Sequence, residues 1–188
     1  MKVNYFVYTG NAYPHKNLER LVQALVLLNK RSLSFDDQKR PVKLKISSSR
    51  GVFTERLENI IKKNNATEYI ELLGYIPDDK IKELYRNSIA FVFPTLSEGF
   101  GLPPKEAIEA GTLAIISDIP VLKEVYKDSV SYFDPYDVNS IANSLEKVIE
   151  IKSEERKKKI EYAQNFLKIY SWLKMAKETL KVYEGSVK

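Results

Sequence analysis

Short apolar runs alternate along the chain with longer stretches in which apolar residues recur every three or four positions. The apolar runs predict five strands, at residues 3–8, 42–46, 69–73, 89–93 and 113–116. The recurring stretches predict five helices, around residues 18–28, 57–61, 78–85, 103–110 and 141–149. We expect Asp78 to cap the third helix, and Gly111 to follow the end of the fourth, which begins near Pro103-Pro104.

The strands at 89–93 and 113–116 are apolar throughout, so both of their faces are expected to be buried. Strands of this kind that alternate with helices form a parallel sheet covered on both sides. With right-handed crossovers, the expected fold is α/β, a doubly wound parallel sheet of about six strands. Ligands of such sheets bind beyond the carboxyl ends of the strands. The candidate ligand loops are therefore residues 9–17, 47–52, 74–78, 94–103 and 117–120.

The length and composition of the chain limit the number of domains and the kinds of functional site that it can contain. The 188 residues, 44% of them hydrophobic, suit one domain, with a Rossmann-like core at 1–151 and a helical segment at 152–188. No cysteine is present and His15 is the single histidine, which excludes disulfides, a cysteine nucleophile, and thiolate or multi-histidine metal sites. No apolar run approaches the ~20 residues of a membrane span. The N-terminus has no secretory signal and enters a strand at once, so we expect a start at a domain boundary.

The net charge of +5 lies in the C-terminal segment. Residues 152–188 hold ten basic and five acidic residues, and the run Arg156-Lys157-Lys158-Lys159 is the densest part. We interpret this run as a solvated helix face, and a peripheral contact with an anionic membrane surface is the alternative. The run lacks interleaved aromatic residues, so we expect no nucleic-acid partner.

The first loop that carries chemistry is residues 9–17, where a strand runs into Gly10 and Lys16 stands at the mouth of the next helix. A lysine there suits phosphate oxygens, and the helix N-terminus adds ~0.3–1 kcal/mol for an anion. An ordinary surface lysine is the alternative. The loop is not a P-loop, because the second glycine and the Ser/Thr are missing. His15 is interpreted as a local structural residue.

The second loop is residues 97–111, where two glycines precede a helix and two glutamates, Glu98 and Glu106, are separated by seven residues. Free amides from Gly99 to Leu102 would face a phosphate. The carboxylates suit sugar and ribose hydroxyls, at ~1.5–3 kcal/mol for each charge-assisted bond. The alternatives are a glycosidase acid and nucleophile, or acidic residues that merely favour a helix N-terminus.

These motifs together resemble the C-terminal domain of retaining glycosyltransferases of family 4 (GT4), which have the two-domain GT-B architecture. The resemblance covers essentially the whole chain and is specific in combination. Its main hallmark is the pair Glu98 and Glu106. The other matching segments are residues 8–10, 14–18, 73–76, 93–95, 98–102, 106–111 and 119–120 with Glu124.

The resemblance implies a nucleotide sugar as the bound donor, with no metal and no other cofactor. Lys16 would neutralise the diphosphate, Glu98 would hold hydroxyls of the transferred sugar, and Glu106 would hold the ribose hydroxyls. Lys16 and Glu98 are thus the implied catalytic residues. The other implied donor-site residues are Gly10 and Asn11, Ser49 and Arg50 beside the base, Tyr75 and Ile76 near the base, and Gly99, Phe100, Gly101 and Leu102, whose amides would hold sugar and phosphate.

One residue departs from the pattern. Asn11 stands where many family members carry an arginine, whose loss as a charged donor would cost ~1.5–3 kcal/mol at the diphosphate. A subset of the family, often with mannose-type donors, shows the same Asn-X-Tyr-Pro-X-Lys-Asn loop. Asn11 therefore marks either a subfamily or a site of reduced activity, and Arg50 is a candidate to compensate.

The C-terminal tail resembles the last helix of the family, which crosses back to an N-terminal domain. Its apolar residues at helical spacing are Trp172, Met175, Ala176, Thr179, Leu180 and Tyr183. We expect part of this stripe to pack on the core and part to be exposed, because the chain contains no N-terminal domain.

The expected function is donor binding in a retaining transferase that moves a hexose, with mannose as the candidate, onto a glycan or lipid-linked acceptor. The acceptor would bind the N-terminal domain, so the chain alone is expected to be inactive. A non-catalytic nucleotide-sugar-binding module and a sugar-nucleotide epimerase of GT-B fold are the alternatives. The family association favours polysaccharide or glycolipid assembly in the cytoplasm, at the inner face of the membrane.

Overall fold

Six parallel strands form one sheet in the computed structural model, which describes residues 5–35 and 41–186. The strands are β1 (Tyr5–Thr9), β2 (Lys43–Ser47), β3 (Ile70–Gly74), β4 (Phe91–Phe93), β5 (Ala114–Ser117) and β6 (Ser131–Phe133). Their order across the sheet is β3-β2-β1-β4-β5-β6. The sheet therefore starts in its middle and is extended in both directions, which confirms the predicted doubly wound α/β fold.

Eight α-helices connect and follow the strands in the described part of the chain. They are α1 (Leu18–Phe35), α2 (Val52–Lys63), α3 (Asp78–Arg86), α4 (Leu102–Glu109), α5 (Pro120–Tyr126), α6 (Val138–Ile149), α7 (Ser153–Leu167) and α8 (Trp172–Ser186). Helix α1 packs against α2 and α6, whereas α4 packs against α3 and α7. Because crossovers between parallel strands are right-handed, these two groups cover opposite faces of the sheet.

The core consists of the strand side chains and the inner faces of the helices. Every residue of β1, β4 and β5 is buried, as the continuous apolar runs predicted. The edge strands differ, since Glu71 of β3 is exposed and Ser131 of β6 is half-buried. All five predicted strands are present, and residues 3 and 4 of the first lie outside the described residues.

The sequence analysis did not predict the positions of strand β6 and helix α5. Strand β6 is three residues long, pairs only with β5 and is half-buried for most of its length, so it gives no continuous apolar run. Helix α5 has only seven residues, too few for a clear helical period, although Leu122, Val125 and Tyr126 on it are buried.

Two local predictions about helix ends have different outcomes. Asp78, the predicted cap of α3, is the first residue of the helix instead, and Pro77 holds the cap position without a side-chain hydrogen bond. Gly111 does follow the end of α4, and its φ of 93° lies in the left-handed region that glycine tolerates. Its amide donates to the carbonyl of Ile108 at 2.9 Å, which closes the helix end.

The basic run on α7 divides into two parts. Lys157, Lys158 and Lys159 are largely exposed, and each pairs with a glutamate four positions away, as a solvated helix face requires. Arg156 is different, and for it the interpretation as a solvated residue is wrong. Its guanidinium is half-buried and donates to the carbonyls of Ser88 and Ile89, just before β4. Burial lowers the pKa of this guanidinium.

Helix α8 is exposed along its whole length. In its first turn, Trp172 and Met175 line an apolar cavity of about 300 Å³ together with Phe100 and Tyr170. The rings of Phe100 and Tyr170 meet edge to face at 5.2 Å between centroids. The apolar stripe thus meets the core at Trp172 and Met175, and Leu180 and Tyr183 further along it are exposed, in line with the sequence prediction. No helix among the described residues is long and apolar enough to cross a membrane.

Candidate active site

The loop after β1 turns sharply at Gly10. The Gly10 amide donates to the carbonyl of Ser47 on β2 at 3.0 Å, and its φ is 135°. A Cβ at this position would lie 3.2 Å from the hydroxyl of Tyr8, which donates to the carbonyl of Asn11 at 2.8 Å. Glycine is therefore needed both for the backbone conformation and for the close approach of the tyrosine.

Asn11 lies exposed at the tip of this turn. Its side-chain oxygen accepts a hydrogen bond from the hydroxyl of Ser49 at 3.3 Å, which joins the loops after β1 and β2. Burial, with a smaller contribution from the negative charge of Glu98, raises the pKa of the neighbouring Tyr8 hydroxyl. The raised pKa keeps the Tyr8 hydroxyl protonated at neutral pH, where it donates to the Asn11 carbonyl.

Lys16 is the last residue of a short 3₁₀ turn, Pro14–Lys16, that leads into α1. Its ammonium forms an ion pair with the carboxylate of Glu98, and their side chains are only 16% and 14% exposed. The same ammonium lies over the ring of Phe93 at 5.3 Å from the centroid. The structure thus brings together the two residues expected to carry catalysis, from loops that follow β1 and β4.

The loop after β4 ends at Gly101, the residue before α4. Gly101 has a φ of 80°, and a Cβ there would lie 2.7 Å from a methyl carbon of Leu122. The buried hydroxyl of Tyr126 donates to the Gly101 carbonyl, and burial raises the pKa of that hydroxyl. Helix α5, which the sequence prediction missed, therefore fixes the backbone where α4 begins.

No side-chain hydrogen bond caps the start of α4 within the described residues. Pro103 and Pro104, the second and third residues of α4, have no N–H. The backbone donors that this end can offer an anion are therefore the amides of Gly99 to Leu102. Gly99 and Leu102 are exposed there, Phe100 is half-buried and Gly101 is buried. Glu106 lies exposed one turn further along α4. Glu98 and Glu106 thus stand on either side of the helix start.

The residues expected around a nucleotide base lie at the far edge of the sheet. A cavity of about 130 Å³ at the ends of β2 and β3 is lined by Ile46, Ser48, Arg50, Thr54, Glu58, Leu72, Leu73 and Gly74. Ser49 borders it on the exposed loop. Tyr75, by contrast, is 75% exposed and does not line the cavity. Ile76 is half-buried and lines a separate shallow pocket with Tyr5 and Pro77.

Three functional neighbours escaped the sequence analysis as site residues. Phe93, Tyr126 and Asn17 each contact a predicted site element, but none carries a charge. Phe93 and Asn17 lie in segments that match the family, and the resemblance assigned neither of them a role. Asn17 gave the only local signal, since asparagine directly before a helix often adopts the left-handed conformation, and its φ is 58°. His15 has a structural role, as its carbonyl accepts the Leu96 amide at 2.7 Å.

Among the residues that the structure describes, the charged side chains of the cleft form individual ion pairs and no larger cluster of carboxylates or histidines. Within residues 5–35 and 41–186, no three His, Asp or Glu side chains gather closely enough to hold a metal ion. The cation of the cleft is the ammonium of Lys16, and the open start of α4 adds a partial positive charge beside it. This arrangement suits a ligand with both anionic oxygens and hydroxyl groups.

Comparison with known proteins gives one family and a consistent set of relatives. The profile of the family described as glycosyl transferases group 1 matches residues 1–166. The O-antigen chain mannosyltransferase B of Escherichia coli is 29% identical over 182 residues, which are 96% of this chain and 45% of that protein. The O-antigen chain mannosyltransferase RfbU of Salmonella typhimurium is 30% identical over 147 residues, 78% of this chain and 39% of that protein. The chain therefore spans less than half the length of these two curated relatives.

Solved structures show the same fold. An α,α-trehalose 6-phosphate synthase from Burkholderia multivorans matches 99% of this chain and 44% of its own, with a TM-score of 0.84 at 15% identity. A glycosyltransferase from Rickettsia africae matches 100% of this chain and 49% of its own, with a TM-score of 0.82 at 19% identity.

Proposed function

This chain belongs to the glycosyl transferases of group 1, and on that basis we propose that it is the donor-binding half of a retaining hexosyltransferase that uses a nucleotide sugar. The observation that carries the proposal is the ion pair of Lys16 and Glu98 beside the uncapped start of α4. It places one cation, one carboxylate and free backbone amides at the carboxyl ends of β1 and β4.

The diphosphate of the donor binds at Lys16 and at the backbone amides of Gly99 to Leu102, which lead into α4. In the free protein Lys16 is neutralised by Glu98, which keeps two poorly exposed charges paired. A diphosphate would take over the ammonium, because phosphate oxygens carry more charge than one carboxylate. In this proposal Lys16 and the amides supply the positive charge at the diphosphate, and no resident metal is included.

Glu98, once released by Lys16, accepts hydrogen bonds from hydroxyls of the transferred sugar. Glu106 does the same for the ribose, since it stands exposed one turn into α4. A carboxylate can accept two hydroxyl donors at once, and each such bond contributes ~1.5–3 kcal/mol. The base then extends toward Ser49, Arg50, Tyr75 and Ile76, where β2 and β3 end.

The chemical step breaks the bond between the anomeric carbon and the terminal phosphate oxygen of the donor. The electron pair stays on that oxygen, and the hydroxyl oxygen of the acceptor forms the new bond to the anomeric carbon. The proton of the acceptor hydroxyl passes to the leaving phosphate oxygen, which balances the step. Lys16 and the amides of Gly99 to Leu102 stabilise the negative charge that grows on the leaving phosphate, and one such donor is typically worth ~2.7–4 kcal/mol. The configuration at the anomeric carbon is retained, as the family resemblance implies.

Mannose is the proposed sugar and a surface glycan the proposed acceptor, because two relatives are named O-antigen chain mannosyltransferases. The acceptor would bind a further domain, in line with the length of those relatives. A chain without cysteine suits a reducing compartment, which supports a cytoplasmic site of action. The basic segment 152–188 supports a peripheral contact with an anionic membrane surface there.

The proposal is tested by calorimetric titration of this chain with GDP, UDP, ADP and their common sugar conjugates. We expect selective binding of one nucleotide, weakened about tenfold or more by Lys16→Ala and by Glu106→Ala, since each removes a charge-assisted contact. Lys157→Ala is the matched control, because Lys157 also pairs with a glutamate but lies 78% exposed on α7. Absence of binding to every nucleotide, or equal losses in all three variants, would contradict the donor site.

A binding module without chemistry is the second candidate, and Asn11 favours it. The side chain of Asn11 accepts from Ser49 and brings no positive charge to the cleft. The two candidates differ in the full-length protein that contains this chain. Loss of sugar transfer after Lys16→Ala, Glu98→Gln and Glu106→Gln supports the transferase, whereas a full-length protein that binds the donor but transfers nothing supports the module.

A further inference from the structure

Asn17 stands at a junction of three loops. It lies between the 3₁₀ turn that carries Lys16 and the first residue of α1, and it is only 5% exposed. Its backbone adopts the left-handed conformation, with a φ of 58° and a ψ of 32°. Asparagine tolerates this conformation better than most residues, so the position combines an unusual backbone with a buried polar side chain.

Every hydrogen-bonding group of the Asn17 side chain is used. The amide nitrogen donates to the carbonyl of Pro94 at 3.0 Å and to the carbonyl of Pro135 at 2.8 Å. The amide oxygen accepts from the guanidinium of Arg20 at 2.9 Å. Pro94 directly follows β4 and Pro135 follows β6, so one side chain joins the loops after β1, β4 and β6.

The joined loops are those that carry the charged pair of the cleft. Lys16 directly precedes Asn17, and Glu98 stands four residues after Pro94. The two loops also meet where the carbonyl of His15 accepts the amide of Leu96 at 2.7 Å and the hydroxyl of Thr95 at 3.3 Å. The Asn17 side-chain amide also donates to the carbonyl of Pro135, after β6. This bond keeps the two loops from shifting together relative to the sheet.

We propose that Asn17 is the positioning residue that sets the place of Lys16 opposite Glu98, by locking three loops at the carboxyl edge of the sheet. The effect of Asn17 on donor binding rests on the proposed function, whereas its role in holding the three loops does not. The side chain of Asn17 is occupied by Pro94, Pro135 and Arg20, so we assign it no contact with the donor. Its effect on binding runs through Lys16.

The variant that tests this role is Asn17→Gly, because glycine keeps the left-handed backbone and removes all three side-chain hydrogen bonds. The chain offers a matched control in Asn29, which is fully buried. Asn29 donates to the carbonyls of Leu25 and Val42 and accepts from the amide of Val42, so it also makes three hydrogen bonds. Those bonds join α1 to the segment before β2, away from the cleft, and Asn29→Ala removes them.

The first measurement needs no ligand. Amide hydrogen exchange is followed at Leu96 and Lys16, whose amides donate to His15 and Tyr13 across the locked turn. We expect exchange at both to rise about tenfold or more in Asn17→Gly and to stay unchanged in Asn29→Ala, since local opening depends on local contacts. Unchanged exchange in Asn17→Gly, or an equal rise in both variants, would overturn the proposal. If Asn17→Gly does not fold, Asn17→Asp replaces it in the exchange measurement, because aspartate keeps the shape, loses both N–H donors and sets a negatively charged oxygen against the carbonyls of Pro94 and Pro135.

The second measurement separates positioning from general stability. Lys16→Ala is combined with Asn17→Gly and with Asn29→Ala, and the affinity for the preferred nucleotide sugar is measured by calorimetry. We expect the Lys16→Ala loss to shrink severalfold in the Asn17→Gly background and to persist in the Asn29→Ala background, because coupled residues are non-additive. If the affinity loss caused by Lys16→Ala is the same in both backgrounds as in the wild-type chain, the role of Asn17 in donor binding is overturned. A wild-type chain that binds no nucleotide sugar contradicts the donor site instead, and the exchange comparison alone then decides the role of Asn17.

Discussion

Lys16 and Glu98, 82 positions apart in the chain, form an ion pair with little exposure to solvent at the carboxyl edge of the sheet. Each therefore holds the other in place before any ligand arrives. A ligand that takes over Lys16 must separate the pair, and it must offer Glu98 a new partner. A nucleotide sugar offers both, because its diphosphate attracts the lysine and its hydroxyls donate to the carboxylate.

The first prediction follows from this competition. Glu98→Gln should raise the affinity for the nucleoside diphosphate severalfold, because Lys16 is released and a negative charge beside the phosphates is removed. The same variant should lower the affinity for the nucleotide sugar, because the amide accepts sugar hydroxyls more weakly than the carboxylate. Calorimetry with both ligands checks the opposite signs. Glu109→Gln on α4 serves as control, and parallel changes for the two ligands would refute the competition.

The second prediction concerns the backbone at the start of α4. Gly101→Ala should reduce the free energy of unfolding by about 1–3 kcal/mol, since the residue has a positive φ and the new Cβ would meet Leu122 at 2.7 Å. Gly99→Ala is the matched control in the same loop, because nothing lies within 4 Å of its Cβ position. Urea unfolding measures both variants. A comparable loss in the two would show that the Leu122 contact is not the cause.

The third prediction concerns alkaline stability. Burial raises the pKa of Tyr8 and Tyr126 well above the ordinary 10.0, and raises the pKa of Tyr132 to about 12. The unfolded chain loses these protons first, so the stabilisation is complete below pH 10 and is lost as the pH rises above it. Each buried hydroxyl contributes up to about 1.4 kcal/mol per pH unit to this decline.

Urea unfolding between pH 8 and pH 11 measures the slope. Tyr126→Phe should make the decline shallower, because one raised pKa is removed, and it should also lower stability at neutral pH by about 1 kcal/mol through the lost bond to Gly101. Tyr183→Phe on exposed α8 should leave both quantities unchanged. An unaltered slope in Tyr126→Phe would contradict the assignment of the decline to buried tyrosines.

The fourth prediction separates Arg156 from the lysines beside it. Arg156→Met should lower the free energy of unfolding by about 1–3 kcal/mol, because the carbonyls of Ser88 and Ile89 lose a charged donor at the entry to β4. Lys157→Met should change it by less than about 0.5 kcal/mol, since Lys157 is 78% exposed. Thermal or urea unfolding distinguishes the two variants. Equal small losses of unfolding free energy in both would show that Arg156 behaves as a solvated residue.

Much of the fold was predictable because a buried parallel strand is a continuous run of apolar residues in the sequence. The runs at 89–93 and 113–116 are apolar on both faces, and the structure places β4 and β5 there, in the middle of the sheet. Strand β6 has no such run, because an edge strand with one neighbour keeps polar residues such as Ser131. Helix α5 was too short for its period to show.

The sequence by itself determined the α/β class and the two loops that are candidates for chemistry, because hydrophobic period, glycine turns and charge are local properties. Only the folded chain brings Lys16 to Glu98, 82 positions away. The tertiary structure alone decided that Asn17 reaches Pro94 and Pro135, 77 and 118 positions away. It also decided that Tyr126 holds Gly101 and that Arg156 leaves the solvated face of α7. Such partners meet only when strands distant in sequence become neighbours, and no local pattern of side chains encodes which carbonyl a buried donor will find.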